Sequence, residues 1–312
     1  MAAPMSWSER MLAVIKWCNS FYERGSSRSR CKPFLIAGQK VGLIRPDVLV
    51  HLEKHPSIFT IKRDSEDTSN IIQVSLSPSL SAPEERTSKV DQFLQSLRQQ
   101  DVFVALKGWR DEKYAVNVSY HTERLTDMER SATGLFGTRQ YGVHINGYCT
   151  HPTKGVCMWI GRRSPNKQTF PNQLDNVAAG GLPAGMPIME CLMKECEEEA
   201  SIPPSISKHA KPVGSISYFY EDDRGLFPET QFLFDLELPP DFIPQVCDGE
   251  ASEFYLYTVE EVKEKIASTE FKPNCALVVL DFLIRHGYIS PDKEPYFLLF
   301  LEGMHENLSR TL

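Results

Sequence analysis

The stretch GGLPAGMPIMECLMKECEEEASI, Gly180 to Ile202, decides the fold. Glycines at 180, 181 and 185 open it, and a glycine-free run follows that carries Glu190, Glu195, Glu197, Glu198 and Glu199. Projected at about 100° per residue, Pro187 to Ala200 makes a helix with three sectors. Met189, Met193, Cys196 and Ala200 form the predicted core stripe, while Glu190, Lys194 and Glu197 face solvent. Glu195, Glu198 and Glu199 stand at i, i+3 and i+4 and share a third face. That face is costly. Like charges at i,i+4 cost roughly 0.2–0.5 kcal/mol per pair, and the dipole disfavours anions near a helix C-terminus. A solvated acidic helix end is the simpler reading of the helix taken alone. A hard divalent cation gives the other reading, because converging carboxylates suit an oxygen-seeking ion.

The whole chain narrows the choice. Its 312 residues, 41% hydrophobic and 24% charged, suit a globular protein of one large or two ordinary domains. A net charge of −7 leaves no basic field for nucleic acid or an anionic membrane. The basic run RGSSRSRCK, Arg24 to Lys32, is serine-spaced and reads as a solvated loop. The cysteines form no C-x-x-C pair and no zinc ladder; Cys191, Cys196 and Cys275 read as small core residues in a reducing compartment. The first residues lack the pattern of a secretory signal, and Glu9 and Glu23 weigh against a mitochondrial presequence. No apolar run has the length of a membrane span. The expected compartment is the cytoplasm, with the mitochondrion as alternative.

Hydrophobic patterning predicts the organisation. Met11, Ile15, Cys18 and Tyr22 recur at helical spacing. FLIAGQKVGLIR, Phe34 to Arg45, predicts a hairpin turning at Gly38, with Pro46 opening a short helix. Residues 64–89 read as a polar surface excursion broken by a strand-like IIQV, and Val90, Phe93, Leu94 and Leu97 as a helix face. DVFVALKGW and YAVNV read as strands. A second unit starts near Arg139: YGVHINGYC, VCMWIGRR, VGSISYFYED, TQFLFDLEL and EFYLYT alternate as strands do. Thr258 with Glu261 makes a capping box, and Pro273 to His286 runs as a helix from proline to glycine stop. The expected units are 1–135, 136–290 and a C-terminal helical segment 291–312, docked together.

The opening stretch resembles the Nudix box, G-x5-E-x7-R-E-U-x-E-E-x-G-U. Gly180 takes the first position, Glu195, Glu198 and Glu199 the later glutamates, and Ile202 the final aliphatic. Lys194 stands for the arginine and Cys196 for the first aliphatic; Met186 and Ser201 depart from the first glutamate and the second glycine. The resemblance implies an α+β chain: a Nudix α/β/α sandwich preceded by a smaller N-terminal α+β domain. It also implies Mg2+ or Mn2+ on Glu195, Glu198 and Glu199, and hydrolysis of a small-molecule diphosphate. One further carboxylate serves such sites as base or ligand. Glu250 in DGEASEF is the candidate, beside its plain reading as a loop residue; Glu198 and Glu250 are the expected catalytic pair.

FLIAGQKVGLIRPDV, LFGTRQYGVHINGY, QLDNVAAGGLPAG and DGEASEFYLYTVEEV are similar to the Nudix subfamily labelled thiamin pyrophosphokinase-related. This implies a diphosphatase for thiamin diphosphate and its damaged oxothiamin and oxythiamin forms, yielding the monophosphate and phosphate. A P-loop is absent, which disfavours a kinase. The alternatives are a Nudix hydrolase of a nucleoside diphosphate derivative or coenzyme A, and an inactive Nudix-fold binding module. Gly180 and Gly181 are expected to let backbone approach phosphate, and Arg162 to face it. Arg163 reads as a solvent-facing strand end, His144 as structural, and Tyr218, Phe219 and Tyr220 as core or stacking rings.

Overall fold

The computed structural model describes residues 4–247 and 249–312. Ser6 and Glu9 close a capping box on the first helix, α1 (Trp7–Cys18). The first unit then runs β1 (Lys32–Ile36), β2 (Gln39–Ile44), α2 (Pro46–Leu52), β3 (Phe59–Arg63), β4 (Ile71–Leu76), α3 (Pro83–Gln99), β5 (Lys113–Val116), β6 (Thr126–Glu129) and α4 (Thr133–Phe136). Its four-stranded sheet has the order β2-β1-β4-β3, and β5 and β6 form a separate hairpin. The β1–β2 turn falls on Ala37 and Gly38, at φ 48° and 77°, where glycine's freedom is needed.

The second unit runs β7 (Gln140–His151), β8 (Gly155–Arg163), β9 (Leu174–Asn176), β10 (Ala178–Gly181), α5 (Ile188–Ala200), α6 (Pro204–Ser207), β11 (Lys211–Asp222), β12 (Gly225–Glu237), β13 (Ala251–Thr258), α7 (Val259–Ile266), α8 (Pro273–Arg285) and α9 (Phe297–Met304). The sheet order is β11-β12-β7-β8-β13, with β10 on β7 and β9 on β8. Alternation along β7 divides the layers. Val143 and Ile145 pack with Leu192 and Cys196 of α5, while His144 turns toward Cys275 of α8. The sheet is therefore covered by α5 on one face and α8 on the other, the layered arrangement expected for this unit.

Four expectations change. Residues 104–108 form a 3-10 turn rather than a strand: Ala105 and Leu106 are both buried, and adjacent buried residues do not fit a strand's alternation. The strand within 64–89 lies inside the first sheet between β1 and β3, burying Ile71, Val74 and Leu76. α3 starts at Pro83 rather than Val90, because proline at its first turn and the acidic Glu84 and Glu85 favour a helix start. In α5 the fully buried residues are Cys191, Leu192, Cys196 and Ala200, while Met189 and Met193 are only partly covered. The stripe is rotated because the helix also leans on β10, whose Gly181 carbonyl meets the Cys191 thiol at 3.5 Å.

α1 does not join the first sheet. Met11, Ile15 and Cys18 are buried in the cluster that holds α7, α8 and α9. The strands carrying Tyr218, Phe219 and Tyr220 bury all three rings. Among the described residues no helix is long and apolar enough to cross a membrane.

Candidate active site

α5 carries its glutamates to the edge of β10. Pro187 precedes the helix in extended conformation, and Ser201 ends it in the left-handed region at φ 52°. Ile202 N–H bonds the Cys196 carbonyl at 2.9 Å and Ser201 N–H the Glu197 carbonyl at 3.2 Å, so the stop seals the last turn. A serine there instead of glycine costs about 1–2 kcal/mol, which the closed turn offsets. Met186, at the box's first glutamate position, packs partly buried against the α5 core.

Glu195 lies against Gly180 so closely that a Cβ there would stand 2.2 Å from its carboxyl carbon. Glu199 accepts the Ala179 N–H at 2.9 Å. Glu198 stays at the exposed rim, 2.7 Å from Lys194 Nζ, and the same ammonium lies 3.3 Å from Glu195. Glu250, on the segment leading into β13, pairs with Lys167 at 2.6 Å and accepts a hydrogen bond from Glu199. The helix thus sets Glu195 against Gly180 and Glu199 on Ala179, and that segment brings Glu250 into the cleft shared with Glu199.

Burial sets the protonation of this group. It holds the Glu199 carboxyl well above the usual range, with the charge of Asp175 adding to the effect and the Ala179 N–H opposing it. Burial also raises Glu195, against the pull of Lys194. Burial pushes Glu250 up too, but Lys167 and the Glu199 hydrogen bond outweigh it and hold this carboxyl low. Among the described residues no three His, Cys, Asp or Glu side chains converge as they stand to enclose a metal ion. The donor set nonetheless fits a hard cation: every member is a carboxylate, and burial disfavours the charged form of two of them, a penalty that a dication would offset.

Two cations nearby, Arg163 and Lys272, are structural. Arg163 Nη1 pairs with buried Asp175 at 2.8 Å, while its Nε and Nη2 donate to the Phe170 and Thr169 carbonyls, so it is no solvent-facing strand end. Lys272 completes the Asp175 pair at 3.3 Å. Arg162 donates to Tyr255 Oη at 3.1 Å and the Asn172 carbonyl at 2.8 Å, at the mouth of a narrow cleft shared with Glu199 and Glu250. His144 bonds Asn176 at 2.8 Å, and burial pushes its pKa down to about 4, so it sits neutral in the core.

The first unit reaches this site, which no local pattern in the sequence signalled. Tyr114 Oη would stand 1.5 Å from a Cβ at Gly181, with the Arg130 guanidinium carbon 3.3 Å away. Glycine at 181 thus admits the first unit, and at 180 it admits Glu195. Beyond Gly181 a cavity of about 320 Å³ opens between the units, lined by Tyr114, Tyr120, Tyr141, Arg124, Arg139 and Met186 among others.

A family model described as "Domain of unknown function (DUF4743)" matches residues 10–140. Nudix hydrolase 20, chloroplastic, of Arabidopsis thaliana is 38% identical over 289 residues, covering 92% of this chain and 75% of the relative. The uncharacterized protein YJR142W of Saccharomyces cerevisiae is 41% identical over 236 residues, 72% of this chain and 68% of its own length. The crystal structure of DR0079 from Deinococcus radiodurans aligns with 55% of this chain and 98% of its own, at 22% identity and a TM-score of 0.41. With its glutamate-bearing helix, glycine-edged strand and chain-long identity to a named relative, the protein belongs to the Nudix hydrolase family.

Proposed function

We propose that this Nudix hydrolase cleaves the phosphoanhydride of thiamin diphosphate and of its damaged oxothiamin and oxythiamin forms, releasing the monophosphate and inorganic phosphate. The observation that carries the reading is the row of carboxylates along this edge, Glu195 against Gly180, Glu199 on the Ala179 N–H and Glu250 beside Glu199, near an inter-unit cavity of about 320 Å³. A cavity of that size takes a small organic group, and its tyrosines suit a flat ring.

Glu195, Glu198 and Glu199 would hold Mg2+ or Mn2+, which when bound supplies charge neutralisation and polarisation of the phosphoanhydride. The chain's own residues do the rest. Gly180 and Gly181 keep the strand edge free of side chains, so phosphate oxygens approach the backbone. Lys167 holds Glu250 ionised, and an ionised carboxylate accepts the proton of an attacking water. The water oxygen bonds to the terminal phosphorus as the bridging P–O bond breaks; the electron pair leaves on the monophosphate oxygen. Arg162, at the cleft mouth, is the candidate for steering the anion inward.

The test is phosphate release from oxythiamin diphosphate by folded full-length chain with magnesium, beside nucleoside diphosphate sugars and coenzyme A. Release from the thiamin compounds above the others supports the assignment. No release from them overturns it.

A further inference from the structure

The open end of the β5–β6 hairpin points at the carboxylate group from the opposite unit. Arg110 lies just before β5, its backbone N–H on Glu129 Oε1 at 3.0 Å. Arg130 lies just after β6, with its N–H on the Glu112 carbonyl at 2.8 Å and Nη1 on the Glu112 carboxylate at 2.8 Å. Glu129 is 1% exposed and also takes the Ser131 N–H at 3.2 Å, so the hairpin end is pinned. The Arg130 guanidinium sits 5.4 Å over the Tyr114 ring, which holds its plane.

The two arginines stand at the hairpin's open end, on the segments that face the site. Arg130 abuts Gly181, while Glu195 abuts Gly180, so cation and carboxylate flank adjacent residues of β10. On the other side Gly108 touches Gln168, the neighbour of the Lys167 that pairs with Glu250. The charge of Arg130 bears on Glu195 and that of Arg110 on Glu250.

We propose that Arg110 and Arg130 clamp the diphosphate, so that the N-terminal unit completes the catalytic centre of the Nudix unit. Three of the second unit's cations near the site are committed: Arg163 to Asp175, Lys167 to Glu250 and Lys194 to Glu198. A diphosphate brings several negative charges to a site already rich in carboxylates, and a planar guanidinium meets phosphate oxygens in pairs. Arg130 uses Nη1 on Glu112, and its Nε and Nη2 carry three further N–H donors. The hairpin thereby gains a catalytic purpose, and Gly181 is the residue that lets it approach. The clamp rests on the diphosphate chemistry proposed above and is independent of the organic group.

The probe is methylenediphosphonate, which carries the two phosphoryl groups without an organic moiety or a cleavable bridge. Its binding to the full chain with magnesium is measured by calorimetry for wild type, Arg130→Ala, Arg130→Lys and Arg110→Ala, each checked by thermal melting. Expected is at least a tenfold loss for each alanine variant, partial recovery in Arg130→Lys, and a rise in KM above any fall in kcat. Where Arg130→Ala melts early, Arg130→Lys, which keeps a charge beside Glu112, and Arg110→Ala decide. Wild-type affinity in both alanine variants, or no binding by wild type, overturns the clamp. Arginine-dependent binding without hydrolysis of thiamin compounds keeps the clamp and removes the thiamin assignment. Hydrolysis of those compounds with unchanged KM in the variants does the reverse.

Discussion

Gly180→Ala isolates the placement of Glu195. The backbone at Gly180 is not in the left-handed region, so alanine is conformationally acceptable. The new methyl, however, stands 2.2 Å from the Glu195 carboxyl carbon and 2.5 Å from Oε1. Ordinary contact begins near 3.4 Å, so the carboxyl must withdraw by the difference, about 1.2 Å. A glutamate swings away at the cost of an off-rotamer torsion, about 0.5–1.5 kcal/mol, which lowers the melting temperature by only about 1–2 °C in a chain of this length. Catalysis is less forgiving. A displacement of about 1 Å at a positioned group costs roughly 100-fold, or about 2.7 kcal/mol of transition-state stabilisation. The assay is steady-state phosphate release at saturating magnesium, on whichever diphosphate the chain turns over fastest, beside calorimetric melting. A kcat/KM within about threefold of wild type refutes the placement of Glu195 at the reaction.

Glu198→Gln breaks a pair with Lys194 at a half-exposed rim, worth about 1 kcal/mol or less. The fold should therefore survive while turnover falls about 100-fold or more; unchanged phosphate release would expose Glu198 as a bystander. Because burial raises Glu195 and Glu199 above their ordinary value of 4.5, the metal-free folded chain keeps protons that the unfolded chain has lost. Its stability falls as pH rises above that value toward the folded pKa values. A divalent cation must displace those protons, so its affinity climbs with pH. Titration in two buffers of different ionisation enthalpy should show proton release, and identical heats would contradict it. Asp175→Ala leaves Arg163 and Lys272 buried without their carboxylate, which costs about 3–5 kcal/mol in a urea titration. A loss below about 1 kcal/mol would mean that the cations find other partners.

Short-range signals survived folding well. The Gly38 turn, the Thr258–Glu261 capping box and the Pro273 helix start are local chemistry, and each stands where its residues indicate. The carboxylate face of α5 is likewise a property of spacing within one helix. What escaped depends on contacts between distant segments. Ala105 and Leu106 have a strand-like composition, yet they turn because both must be buried against the first unit's core. Met189 and Met193 lie on an apolar stripe that contact with β10 rotates partly outward. Arg163 looks like a strand end, but Asp175 is only brought beneath it by pairing of β9 with β8. Arg110 and Arg130 carry no motif at all. Their relevance exists only once Tyr114 has docked on Gly181.

The lodging of α1 among α7, α8 and α9 has a consequence for synthesis. About 255 residues separate Cys18 from Pro273, and a ribosome adds roughly 5–20 residues per second. α1 must therefore wait some 13–50 seconds, by the same rate, with Met11 and Ile15 unburied, until its berth is translated. During that interval the β1–α4 unit, whose own sheet and core cluster lie within residues 32–136, is free to form first. A fragment beginning at β7 would lack the wedge that fills the groove between α8 and α9, so trimming the chain to its hydrolytic unit would leave that unit with an open seam.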